Sequence, residues 1–178
     1  VLDLPTDRPR PAVQSHEGGV VSMRVPKNVV ESLHRVAVLR QVSLFSCLLS
    51  AWFIVLGRYT RSKDLVVGCP SAGRSRAEVH PLIGYFVNVL PLRVSMSAHP
   101  TFGELMEHIQ DLVLTGMKHA DVPFHEIVDS LQIGRDASRT PVFQAFMSMA
   151  DATDSLPHFD GCVSSRLHET VQTAKFDI

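Results

Sequence analysis

Hydrophobic and polar positions along the chain follow two periods, and the switches between them mark the elements. Val20-Val-Ser-Met-Arg-Val25 alternates as a strand does, just after Gly18-Gly19. From Pro26 the spacing changes: Val29, Val30, Leu33, Val36, Ala37 and Arg40 recur near every 3.6 residues. That spacing predicts an amphipathic helix with proline in its first turn. Ser43 is a predicted N-cap for a second helix, Leu44 to about Tyr59. Its apolar residues (Leu44, Phe45, Leu48, Leu49, Trp52, Phe53, Val55, Leu56) run nearly all round it, so it is expected to be central and buried on most sides.

Leu65-Val-Val-Gly-Cys69 is a short run that reads as a strand ended by Pro70. Leu82 to Val94 is a longer apolar segment punctuated by Gly84 and Pro91, the pattern of a bent or bulged strand. Thr101-Phe-Gly-Glu104 fits a capping box for a helix reaching about Lys118, with Leu105, Ile109, Leu112 and Val113 on one face. Asp121 is the expected cap of a short helix from about Pro123 that includes Phe124, Ile127, Val128 and Leu131. Val142 to Met149 and Phe159 to Leu167 read as two further strands. Helices and strands interleave, so the fold class is α/β: a mixed sheet with flanking helices.

Composition narrows the function more than it names it. The 178 residues are 45% hydrophobic and 20% charged, as in an ordinary globular protein with a sizeable core. A formal net charge of −1 provides no global field toward nucleic acid or membrane, and neither is expected as a partner. The apolar stretch Leu44–Leu56 falls short of the roughly 20 residues that span a bilayer. The amino terminus lacks a signal pattern. Cys47, Cys69 and Cys162 are widely spaced and odd in number, which reads as reduced thiols in a cytoplasmic protein. No C-x-x-C or Cys/His pair suggests a structural zinc, and no metal ligand set is expected.

Gly68-Cys-Pro-Ser-Ala-Gly73 approaches a hydrolase nucleophile elbow, but its spacing is wrong and proline precedes the serine. A Walker loop and G-x-G-x-x-G are absent. His119 and His125 lie six apart across a turn, which is not a helical ligand spacing. Arg58, Arg61, Lys63, Arg74 and Arg76 cluster around the Leu65 strand, tempered by Asp64 and Glu78. They form either a solvated loop face or a docking surface for an acidic partner or a phosphate-bearing arm. Both ends read as cut from something larger: the chain starts at Val1 with a proline-rich lead and ends at Lys175-Phe-Asp-Ile178, like the opening of a strand.

Five segments in order resemble the condensation domains of nonribosomal peptide synthetases. Leu4-Pro-Thr-Asp-Arg-Pro-Arg-Pro11 is similar to the stretch that links the two lobes of such domains. Val67-Gly-Cys-Pro-Ser-Ala-Gly-Arg74 is like V-G-x-P-x-A-G-R. Ile83-Gly-Tyr-Phe-Val-Asn-Val89 resembles the G-x-F-V-N-T core motif, with Val89 for threonine. His119-Ala-Asp-Val-Pro-Phe-His125 resembles H-Q-D-x-P-F-E, departing at Ala120 and His125. Arg135-Asp-Ala-Ser-Arg-Thr-Pro-Val-Phe-Gln144 resembles R-D-x-S-R-x-P-L-F-Q. Phe86-Val87-Asn88 favours condensation over the related epimerization and heterocyclization domains.

The resemblance implies one lobe of a two-lobed fold like that of chloramphenicol acetyltransferase, with residues 1–17 as interlobe linker and 18–178 as a truncated carboxy-terminal lobe. It implies amide formation between a donor acyl or peptidyl thioester and an acceptor aminoacyl thioester. Both ride on phosphopantetheine arms of carrier proteins, which enter a tunnel between the lobes; no cofactor is bound directly. The implied partners are the amino-terminal lobe, the donor and acceptor carrier domains and an adjacent adenylation domain. The family's catalytic H-H-x-x-x-D-G motif belongs to the preceding lobe, and this chain holds no His-His pair. No catalytic residue is therefore expected here, and the fragment alone is expected to be inactive and to self-associate. Gly84, Phe86 and Asn88 are the candidates for the tunnel wall, although Gly84 could equally bend a strand and Asn88 cap a buried backbone group. Arg74, Arg135 and Arg139 are candidates for ordering loops or docking carriers. Asp121 and Pro123 fit a helix start better than a substrate contact. The competing reading is a noncatalytic condensation-like module that recruits partner proteins.

Overall fold

Ser43 caps the most apolar helix through a bond that the sequence predicts: its side chain accepts the Ser46 N–H at 3.0 Å. The computed structural model describes residues 2–98, 100–134, 136–150, 160–163, 165 and 172–178. Helix α1 (Lys27–Leu39) follows Pro26, and α2 (Leu44–Thr60) follows Ser43. Strand β1 (Asp64–Ser71) comes next, then a single 3-10 turn at Ala77–Val79 and strand β2 (Asn88–Ser95). Helix α3 (Phe102–Lys118) starts at a complete capping box between Thr101 and Glu104. A short α4 (Phe124–Ser130) and a two-residue β3 (Ala145–Phe146) complete the order.

The sheet runs β2-β1-β3, with β1 antiparallel to β2 and parallel to β3. Its register pairs Leu65 with Val94, Val67 with Leu92 and Cys69 with Leu90. Side chains alternate faces along a strand, so these six point to one side. There they meet Leu49, Phe53 and Leu56 of α2 and Leu105, Ile109 and Val113 of α3, which together form the main core. Burying each of these large side chains contributes about 1.5–3 kcal/mol. Gly68 points to the other face, where an added Cβ would lie 2.4 Å from the Phe143 ring. Phe143 is itself buried, so the sheet is covered on both sides at its centre.

Several expected elements differ. Residues 20–25 form no strand, and Val20, Val21 and Met23 are exposed. A strand requires a neighbour for its backbone groups, and none of the described residues provides one. Of the strand expected over Leu82–Val94, only Asn88–Ser95 forms; it lies at the sheet edge, where Pro91 is tolerated. Pro70 does not end β1, because β3 pairs only with Val67 and Gly68 and leaves Pro70 free of a ladder on that side. The strand expected over 142–149 shrinks to Ala145–Phe146, since Val142 has a positive φ of 69°. Within the strand expected over 159–167, Asp160-Gly161 forms a turn; residues 159, 164, 166 and 167 lie outside the described residues. Helix α1 buries only Ala37 fully, because it packs on α2 at its carboxy-terminal end and leaves Val29 and Val36 exposed.

Candidate functional site

The segments that stand out in the sequence fold onto one another. Gly73 follows β1 with a positive φ of 64°, and a Cβ there would lie 1.8 Å from the Phe86 carbonyl oxygen. Only glycine fits so close an approach in that backbone conformation. The neighbouring Arg74 guanidinium lies 4.4 Å from the centre of the Phe86 ring, within cation–π range. Arg74 also donates to the carbonyls of Val79, His80 and Leu82, the last two at 3.2 and 2.9 Å. His80 Nε2 returns to the Arg74 carbonyl at 3.0 Å. One guanidinium thus holds residues 79–86 as a loop, and this takes Leu82–Val87 out of the expected strand. Gly84 lies on that loop with the edge of the Phe86 ring 3.0 Å from where its Cβ would be. Ile83 and Tyr85 point away from the protein, 103% and 87% exposed.

Asn88 opens β2 and spends its whole amide on the segment before α4. Its Nδ2 donates to the carbonyls of Ala120 at 2.8 Å and Val122 at 2.6 Å. Its Oδ1 accepts the Phe124 N–H at 3.1 Å. A backbone N–H can only donate, so this bond fixes the orientation of the amide. Pro123 at the N-cap of α4 has no side-chain capping bond, and the expected Asp121 cap does not form. Asn88 takes its place from 36 residues away. His119 and His125 lie on either side of this segment, at the end of α3 and in α4.

The next layer is aromatic. Phe124 packs on Phe143 at 5.4 Å between ring centres, Phe143 on Phe176 at 5.3 Å, and Phe176 stacks on Phe146 at 4.7 Å. Beside them the buried Gln144 accepts the Leu2 N–H at 2.7 Å and donates to the Thr140 carbonyl at 2.8 Å. Its own carbonyl accepts the Asp177 N–H at 2.9 Å. The proline-rich lead is tied to the same place: Arg10 donates to the Ser138 carbonyl at 3.0 Å and pairs with Asp177. That hydrogen-bonded pairing raises the Arg10 pKa further. Arg139 Nε lies 3.2 Å from Asp136 Oδ2, an ion pair by distance without hydrogen-bond alignment. Bonds from Ser138 hold the Asp136 carboxyl below its usual range. Arg135 lies outside the described residues.

Chemically, the arrangement orients and shapes. No group of three His, Cys, Asp or Glu suited to a metal occurs among the described residues. Burial pushes the Cys69 thiol up to about 12 and raises Cys47 as well, so neither supplies a thiolate near neutrality. No single helix among the described residues is long and apolar enough to cross a membrane. Sequence reasoning found the segments but missed Gly73, Phe143 and Gln144 as their joints. The one available signal was the glycine before Arg74, since an invisible close approach is a common reason for glycine there.

A protein whose motif segments close on one another in this way, on a mixed sheet with helices, has counterparts among known proteins. The family model described as "Condensation domain" matches residues 1–178. Surfactin synthase subunit 1 of Bacillus subtilis (strain 168) is 39% identical over 179 residues, covering 100% of this chain and 5% of that subunit. A four-domain nonribosomal peptide synthetase, solved bound to AMP and glycine, superposes with a TM-score of 0.82 at 29% identity, over 84% of this chain and 11% of that one. The X-domain from teicoplanin biosynthesis, solved alone and in complex with OxyB, superposes at 0.76 with 32% identity, over 82% of this chain and 32% of that one. The chain therefore belongs to the condensation-domain family, whose fold is the chloramphenicol-acetyltransferase-like one. It spans only a small part of the synthetase subunits that it matches.

Proposed function

We propose that the chain is the carboxy-terminal lobe of a peptide-bond-forming condensation domain, with residues 1–17 as the interlobe linker. In that reaction the amine of the acceptor aminoacyl thioester attacks the donor thioester carbonyl. A C–N bond forms, the C–S bond breaks, and the donor arm leaves as a thiol once the amine proton has been passed on. The lobe supplies one wall of the tunnel for the two phosphopantetheine arms and surfaces for the carrier domains, with an adenylation domain as neighbour in a cytoplasmic synthetase. Arg74 supports this reading most, since it fixes the loop that presents Ile83 and Tyr85 outward. Gly84 and Phe86 serve the wall directly, whereas Asn88 serves it by position, its amide being fully used. Arg139 orders the loop beside Asp136, and Arg135 is kept as a candidate for ordering that loop or docking a carrier. The family's catalytic histidine motif belongs, in this reading, to the preceding lobe, and this chain supplies no catalytic residue.

The test joins the chain to the 150–250 or so residues that precede it in its synthetase, a span set by usual lobe size. Amide formation between two loaded carrier proteins is followed by mass spectrometry. Product from the joined protein and none from the chain alone supports the reading, and product from the chain alone refutes its division of labour. The resemblance to the X-domain, which has been solved in complex with OxyB, favours a second reading, a noncatalytic recruitment module. Failure of the joined protein to form amide, together with stable capture of a partner enzyme, supports that one.

A further inference from the structure

The basic cluster around β1 separates in the structure into two parts with different work. Arg74 is consumed by the 79–86 loop. Arg58, Arg61 and Lys63 instead rim a shallow pocket of about 340 Å³ floored by Ile54, Gly57 and Met96. Arg93, Arg40, Arg10 and Arg139 each have a carboxylate partner. Arg58 and Arg61 have none among the described residues, and both are exposed.

The rim is rigid. The Thr60 hydroxyl donates to the Leu56 carbonyl at 2.8 Å and accepts the Ser62 N–H at 3.3 Å. The Ser62 hydroxyl donates to the Asp64 carbonyl at 2.8 Å, and Met96 N donates to the Lys63 carbonyl at 2.7 Å. Arg61 occupies the left-handed position that ends α2, with φ 57°. Glycine is the favoured residue there, so the fold places a cation where backbone geometry alone would favour none.

We infer that this pocket is a docking site for an acidic amphipathic helix of a partner protein. Its carboxylates pair with Arg58 and Arg61, and one apolar side chain between them seats on Ile54 and Met96. The charges set the sign of the partner, and the apolar floor favours a peptide over a bare anion. The site is separate from the motif segments and stands whether or not the chain takes part in amide formation.

The probe is a fluorescent helical peptide with Glu, Leu and Glu at i, i+4 and i+7, titrated into the 178-residue chain with anisotropy as readout. Saturable binding is expected, weakening about tenfold or more between roughly 50 and 300 mM salt as the charges are screened. Arg61→Gly separates binding from folding: the melting temperature holds or rises while affinity falls about two- to fivefold, the worth of one exposed charge pair. Arg58→Glu with Arg61→Glu removes binding. Unchanged affinity in Arg61→Gly and in the double variant would overturn the proposal. So would equal binding of the peptide with Gln for Glu, displacement by low-millimolar inorganic phosphate, or a preference for phosphatidylserine vesicles over the peptide.

Discussion

Asn88 Oδ1 accepts the backbone N–H of Phe124 at 3.1 Å, so a strand residue caps a helix that its own neighbours leave uncapped. The same amide donates to two carbonyls of that segment. Asn88→Ala leaves those three groups to partial solvent and is expected to cost about 1–3 kcal/mol in urea unfolding, near one net hydrogen bond's worth for each. Asn88→Asp keeps the acceptor but sets a carboxylate against two carbonyl oxygens. It is expected to be at least as destabilising at pH 7. Because the folded state then favours the protonated acid, the deficit shrinks as pH falls from about 6 toward 4. A pH-independent deficit would contradict this geometry.

Gly73 and Gly84 are expected to separate sharply. Gly73→Ala combines a positive φ with an approach of 1.8 Å to a backbone oxygen, and strain of that kind costs at least about 2 kcal/mol. Gly84→Ala meets only the edge of the Phe86 ring at 3.0 Å, a side chain that can turn aside. Its expected cost is below about 1 kcal/mol. Thermal melts of the two variants check the order.

The buried thiols give the chain an alkaline limit. Cys69 ionises only near 12 in the folded state, and Cys47 is shifted the same way, whereas unfolded thiols ionise near about 8.5. Between those values the unfolded state has lost protons that the folded state keeps. Stability is therefore full below about pH 8.5 and falls as pH rises, by up to about 1.4 kcal/mol per pH unit for each thiol. Urea midpoints at pH 8 and 10 should show the decline, and Cys69→Ala should flatten it. An equal slope in the variant would sink the assignment.

Ile83 and Tyr85 stand out from the loop that Arg74 holds. Exposed apolar groups on a fixed loop favour association. The chain alone is expected to self-associate at high concentration and to bind a hydrophobic dye, with Ile83→Ser and Tyr85→Ser together weakening both. Sedimentation showing a strict monomer without dye binding would contradict it.

Much of the fold was legible because its signals are local. The Ser43 cap and the Thr101–Glu104 box lie within one turn of what they stabilise, and the short β1 run carries its signal in its own β-branched residues. The failures were at positions decided from a distance. Val20–Val25 has a strand's pattern but no adjacent strand among the described residues. Leu82–Val87 has a strand's apolarity, but Arg74 captures the carbonyls of Val79, His80 and Leu82. Asp121 looked like a cap, yet Asn88 reaches the free N–H first. The site followed the same rule: each motif could be read in the sequence, but not that Gly73 holds Phe86 or that Phe124 packs on Phe143.

Amide hydrogen exchange at Phe124 tests most directly whether the motif segments hold one another. In the unaltered chain that N–H is expected to be protected by the Asn88 side chain. In Asn88→Ala its protection should fall toward that of an open loop, while the amides of Leu49 and Phe53 in α2 exchange as slowly as before. Unchanged protection at Phe124 would show that the segment before α4 is held by something else, and would contradict the convergence on Asn88.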